Sequence, residues 1–461
     1  MRNLIARAAL SAVVVPTALV VACVGSDPGA FSAPAPDGQA PVDSVPDGGG
    51  GADGDGPGPM STITGLVIDE LGRPRANVAV RIGSAATTTS GDGSFILSAA
   101  PRYDLEVVQS RGATGKIVTV VRGLSTRSPA LQVPSTETAK VNHNVTVSIQ
   151  GPQGGIVTQS ERVTAVFVPK PTSGAGPAVR TINGGISVDS SVSWPGNSPN
   201  VGTVYALRYT VGPGGHFVTG IAGAGAAGYE LVDSGPAKTI RITMDSATAT
   251  GKLTGTITPG GNTLTTMFLH YRVAGTLASM SFSDSTFAGN AFDLLLPKLP
   301  DYSGALMVAG TTPSAGIARA WRVGLTPDTN GIALSLPPDF NALTPTPNAT
   351  GIDSTTAFTW PAISAAGYVM QMNCPPISVQ NPEPTYALTI LTTNTTTTLP
   401  DTTGLGAPLP VGACDWRVGA ASVPNADAFA DAAGWKRFTI VDAATTDGTY
   451  VETAGRPLRM N

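Results

Sequence analysis

The chain has 461 residues, a formal net charge of −4 and only 13% charged residues, where a soluble domain ordinarily carries about a quarter. A weakly acidic balance without a Lys/Arg run lacks the electrostatic footprint that phosphate backbones demand, so no nucleic-acid partner is expected. The 55 glycines and 39 prolines punctuate the chain too often for long helices, which leaves short strands and turns as the expected structure.

The first 22 residues have the layout of an export signal. Arg2 and Arg7 supply positive charge, Ala8 to Val21 is almost wholly apolar, and the small Ala22 precedes Cys23. The apolar run is short for a membrane span and is broken by Pro16, which argues against an uncleaved helix. Val20-Val21-Ala22-Cys23 resembles the bacterial lipobox, with Val20 in place of the commoner Leu. The resemblance implies cleavage before Cys23, acyl chains on that residue, and attachment to a membrane. Each buried CH₂ contributes about 0.8 kcal/mol, so several chains anchor durably. Val24 after the cysteine points, by resemblance to enterobacterial lipoproteins, to the outer membrane or cell surface.

Residues 23–60 are Gly, Pro, Asp, Ala and Ser without apolar periodicity, and are expected to form a disordered linker. Asp53-Gly54-Asp55-Gly56 has the carboxylate spacing that begins many calcium loops. An EF-hand would need Glu at position 64, where Thr64 stands, so no metal is expected there.

From Ser61 the chain alternates. Val67 begins a strand, Gly72-Arg73-Pro74 turns it, and Val78, Val80 and Ile82 point inward on the next; Asp92-Gly93 turns before Phe95 and Leu97. Together with Thr88-Thr89 and Tyr103-Asp104-Leu105-Glu106-Val107, these residues resemble the carboxypeptidase regulatory-like (transthyretin-like) domain. That resemblance implies a seven-stranded β-sandwich, assigned to residues 61–149. Ser90 stands where the family usually has Asp, so a ligand role tied to that acid is not carried over.

Three further period-two runs, Val145/Val147/Ile149, Ile240/Ile242/Met244 and Ile332/Leu334/Leu336, recur at ninety-odd residues. Read as closing strands of successive sandwiches, they divide the middle into 150–249 and 250–336. Additional strands are expected at Val163 to Val168, Val204 to Val211, Met267 to Val273 and Arg319 to Val323, separated by turns such as Pro213-Gly214-Gly215 and Pro259-Gly260-Gly261.

Residues 337–441 resemble a fibronectin type III or related immunoglobulin-like unit. Phe358-Thr359-Trp360-Pro361 matches its second strand with the core Trp, Tyr368 to Met372 its third, and Trp416-Arg417-Val418 its sixth. The remainder, 442–461, reads as a tail or one added hairpin. If Cys23 carries lipid, Cys374 and Cys414 are an even pair in an exported protein and are expected to be bridged. In the sandwich reading they lie at facing ends of neighbouring antiparallel strands; the alternative is two buried free thiols.

No chemistry-bearing motif rises above background. Gly-x-Ser-x-Gly and the P-loop are missing from the sequence. The three histidines, His143, His216 and His270, stand singly without the paired ligands of a zinc site and read as surface or loop residues. No catalytic residue, metal or cofactor is assigned. Asp301, Asp339 and Asp353 read as turn formers. Trp321, Trp360 and Trp416 occupy strand positions and read as core, whereas Trp194, before Pro195 in a Gly/Asn/Ser/Pro-rich stretch, is the candidate platform for a sugar ring, against a competing reading as packing.

The expected class is all-β, with tandem β-sandwich domains after a signal peptide and linker. The expected function is a membrane-anchored, non-enzymatic display of modules for binding, adhesion or spacing, with a protein or glycan as ligand. The alternative is an envelope polysaccharide hydrolase or lyase hidden in the middle region, because its two carboxylates need only converge in space.

Overall fold

The computed structural model describes residues 59–461 apart from 71, 113, 135–141, 151–160, 174, 184–186, 213–217, 247–248, 285–288, 342, 364–365 and 376–383. It is almost wholly β, with only short 3₁₀ turns as helical elements among these residues. The lipobox with Cys23, the linker as far as residue 58, the Pro213-Gly214-Gly215 turn and His216 lie outside the described residues.

Strands Ser61–Ile68, Ser94–Ala99 and Ala130–Gln132 form one sheet of the first sandwich. Ala79–Ile82, Ala85–Thr88, Tyr103–Arg111 and Gly115–Leu124 form the layer that faces it. Between the layers lie Val67, Val80, Ile82, Phe95, Leu97, Leu105 and Val107, all buried. Alternation therefore placed the inward residues of both layers as expected. Gly93 turns with φ +76°, and a Cβ there would stand 2.5 Å from the Val67 carbonyl oxygen, so both backbone and space require glycine.

The second sandwich opposes Asn142–Gln150, Ser187–Pro195 and Lys238–Arg241 to a sheet built on Glu161–Pro169, Asn200–Val211 and Val218–Leu231. The third opposes Thr250–Thr258, Ala291–Pro297 and Ile332–Ser335 to Thr263–Val273, Ser279–Asp284, Tyr302–Thr311 and Ile317–Leu325. One expectation is corrected here. The strand carrying Val145 does not close the first sandwich but lies between Ser187–Pro195 and Lys238–Arg241 in the second. Alternation identifies a strand; it carries no information about the strand's neighbours.

In the last quarter, Ala357–Thr359 pairs with Thr396–Thr398, while Ala366–Cys374 lies between Tyr386–Thr392 and Gly412–Ser422. The segment read as a tail supplies two more strands, Gly448–Glu452 and Arg456–Met460, both paired with Gly412–Ser422. Their buried Tyr450, Val451, Leu458 and Met460 hold this end in the core, which is why it is ordered into the sheet.

The sandwiches are not beads on a string. Tyr386–Thr392 pairs in parallel with Gly115–Leu124, with Tyr386 opposite Lys116 and Leu391 opposite Val121. Gly448–Glu452 pairs with Ile317–Leu325 as well as with its own neighbour. One 14-stranded sheet therefore runs through the third, fourth and first units in that spatial order. Ile117, Val118, Val120 and Val121 are buried on both faces of the sheet, as befits a central strand covered on two sides.

Residues 423–447 lie across this joint. Phe429, Trp435, Phe438 and Val441 share one core with Leu131 of the first unit and Met307 and Trp321 of the third. Asp427 Oδ1 accepts hydrogen bonds from the backbone N–H groups of Ser125 (2.7 Å) and Thr126 (3.0 Å), Lys436 pairs with Glu70, and the Trp321 indole donates to the Thr446 carbonyl at 3.0 Å. The second unit docks on the third through Tyr209 and Phe282, whose rings meet edge to face at 5.0 Å.

Candidate functional site

The two body cysteines are joined as expected. Asn373 stands opposite Asp415 in the antiparallel register, so Cys374 and Cys414 meet on the next rung, with Cα atoms 4.4 Å apart and a disulfide between them. Facing residues of an antiparallel ladder approach to about 4.5 Å at non-hydrogen-bonded positions, so the backbone supplies the spacing a bridge needs.

Trp194 presents no face to solvent. It is fully buried, packs against the His143 ring at 5.7 Å, and donates from its indole to the Asn197 carbonyl at 3.2 Å. Of the two readings of Trp194, burial supports packing, and the candidate sugar platform is corrected to a core residue of the second sandwich. Val192 and Trp194 point inward while Ser191 and Ser193 are exposed, a strand alternation that the surrounding Gly, Asn, Ser and Pro obscured. Trp321, Trp360 and Trp416 are buried as read, Trp416 edge to face with Phe358 at 4.9 Å.

His143 lies half-buried between the Gly196 carbonyl, 2.6 Å from Nε2, and Asp233 Oδ2, 3.1 Å from Nδ1. His270 is not the surface residue expected, being only 4% exposed. Its strand faces the segment around Asp442, a partner far along the chain that no local pattern reveals. Nδ1 lies 2.8 Å from Ser281 Oγ and 3.2 Å from Asp442 Oδ1. Burial pushes the imidazole pKa down and Arg272 adds to this, against the opposing pull of Asp442.

Serine, histidine and aspartate together invite comparison with a nucleophilic relay. In a relay the acid holds one ring nitrogen and the hydroxyl takes the other. Here both oxygens converge on Nδ1, while Nε2 is buried without a hydrogen-bond partner. The arrangement cannot pass a proton from hydroxyl to acid across the ring; it joins the third unit to the segment over it.

The turn acids behave as read where hydrogen bonds define them. Asp353 accepts from the Thr355 N–H (2.9 Å) and hydroxyl (2.7 Å), which lower its pKa. For Asp339 burial works in the opposite sense, but hydrogen bonds from Ser314, Thr312 and the Phe340 N–H outweigh it and the pKa is lowered. Among the described residues no three His, Cys, Asp or Glu side chains converge as a metal set would. No helix among them is long and apolar enough to cross a membrane.

No protein-family profile matches the chain, and no curated protein does. Among solved structures, a candidate adhesin from Bacteroides ovatus is 9% identical over 46% of this chain and 99% of its own, with a TM-score of 0.18. The Bacillus anthracis TIE protein is 12% identical over 60% of this chain and 50% of its own, at 0.15. A streptococcal ancillary pilin is 12% identical over 60% of this chain and all of its own, at 0.14. Scores this low leave the question of function to the chain's own residues.

Proposed function

We propose that the chain is an exported, lipid-anchored envelope protein, and that its block of β-sandwiches displays binding or adhesive loops, or spaces a partner from the membrane, without catalysing a reaction. The observation that carries this reading is the sheet shared by the third, fourth and first units. Paired strands and a common core hold the loops of three sandwiches in fixed relation, as a display surface or rigid spacer requires. The Cys374–Cys414 bridge fits an oxidising compartment. Anchoring rests on Arg2, Arg7, the apolar run and the lipobox ending at Cys23.

The test is metabolic labelling with radiolabelled palmitate in a bacterial host, comparing the natural chain with Cys23→Ala. Label and membrane fractionation are expected for the former and loss of both for the latter. A natural chain that takes up no label, or a mature protein in the cytosol with reduced thiols, overturns the reading.

A further inference from the structure

The strand that continues the chain from Pro59 and Met60, Ser61–Ile68, is the central strand of its sheet. It pairs antiparallel with Ser94–Ala99, from Ser61 opposite Ala99 to Leu66 opposite Ser94, and in parallel with Ala130–Gln132 on its other side. The backbone N–H groups of Thr64, Leu66 and Val67 donate to the carbonyls of Arg127, Pro129 and Gly93, and that of Val133 donates to the Ile68 carbonyl, each at 2.9 Å. Ile63 and Val67 seat the strand in the core.

The parallel pairing of an entry strand with an exit strand recurs in every unit. Asn142–Gln150 pairs in parallel with Lys238–Arg241 near the exit of the second unit, Thr250–Thr258 with Ile332–Ser335 in the third, and Ala349–Ile352 with Arg456–Met460 in the fourth. Arg456–Met460 is also flanked on both sides, because it pairs with Gly412–Ser422 as well. Parallel neighbours begin at the same end, so the chain enters the first strand at one end and leaves the last at the other. Tension along the chain therefore draws the two lengthwise past each other and loads the hydrogen bonds between them together. Strands gripped at facing ends instead part rung by rung. Forced unfolding follows the rate of crossing the rupture barrier, and that barrier rises when bonds must break at once.

We propose that the body is built to bear tension along the chain, with Ser61–Ile68 as the strand that takes up a pull from the residues before it. That such a pull exists in the cell rests on the anchoring reading. The resistance itself is a property of the fold and is measured without lipid, so either can fail alone.

The test is optical-tweezers rupture of the unlipidated full chain, gripped at Cys23 and at a second thiol introduced by Asn461→Cys, Gly91→Cys or Ser98→Cys. All three positions are exposed, an added Cβ at Gly91 meets nothing within 4 Å, and Cys374 and Cys414 are taken up by each other. Asn461 follows the last strand and gives the pull along the chain. Gly91 precedes Ser94, at the Leu66 end of the ladder, so this grip slides Ser61–Ile68 lengthwise; Ser98 faces Thr62, so that grip peels the strand from its start. At one loading rate the Asn461 and Gly91 grips are expected to withstand at least twice the force that the Ser98 grip does. A chain pulled through Asn461 that yields at the Ser98 force, or equal forces for the Gly91 and Ser98 grips, would each overturn the proposal.

Discussion

Phe429→Ala tests whether the joint is a single core. Phe429 is fully buried, meets Phe438 edge to face at 6.2 Å, and belongs to the cluster that includes Leu105 and Val107 of the first unit and Ala305 and Met307 of the third. Truncating a buried Phe to Ala costs about 3–5 kcal/mol. If the three units unfold as one cooperative body, that loss appears in all of them. At about 1.4 kcal/mol per tenfold, their opening equilibria rise by roughly 10²-fold to roughly 4 × 10³-fold. Hydrogen exchange read by mass spectrometry reports this on the peptides containing Leu105–Val107 and Ala305–Met307, far in sequence from the substitution. Independent sandwiches would confine faster exchange to the fourth unit. Unchanged protection in the first and third units would therefore refute the shared-core reasoning.

Replacing both Cys374 and Cys414 with alanine opens a loop spanning 40 positions and should lower the unfolding free energy by about 4 kcal/mol in the chain-entropy model, measured by urea denaturation. Thiol titration of the unreduced, unfolded chain should find neither cysteine reactive. His270 has a folded-state pKa below the ordinary 6.5, so its contribution is complete above that value and is lost as the pH falls through the folded pKa. Urea midpoints should drop on going from neutral to mildly acidic solution, and His270→Gln should flatten the drop; an identical pH profile in the variant would exclude His270 as its source. Trp194→Ala should destabilise the second sandwich by about 3–5 kcal/mol, seen as a lowered thermal midpoint. A midpoint equal to that of the natural chain would contradict its burial.

What the sequence made legible is local. Alternation located Val78, Val80, Ile82, Phe95 and Leu97 on inward faces, and the Trp360 and Trp416 signals marked core positions that are buried. The cysteine pairing followed from parity, two cysteines left in a chain read as exported, and the immunoglobulin-like resemblance implied that they lie at matching strand ends. Partnership between distant segments was not legible. Nothing in Tyr386–Thr392 names Gly115–Leu124 as its neighbour, since a strand's outward hydrogen bonds are the same whatever its sequence. The run Ile117-Val118-Thr119-Val120-Val121 did carry a hint, being apolar on both faces where an exposed sheet would alternate. His270 failed for the same reason as the joint: its burial comes from Asp442 and its surroundings, not from its own strand.

The spatial order of the units also constrains how the molecule is made. Synthesis delivers Gly115–Leu124 long before Tyr386–Thr392, the strand that completes its hydrogen bonding. Until the last quarter of the chain arrives, the nascent product carries an uncapped, strongly apolar edge, a template for pairing with other chains. Folding of this protein thus calls for a holding factor or rapid completion of the chain, and a prematurely terminated copy would be sticky rather than merely incomplete.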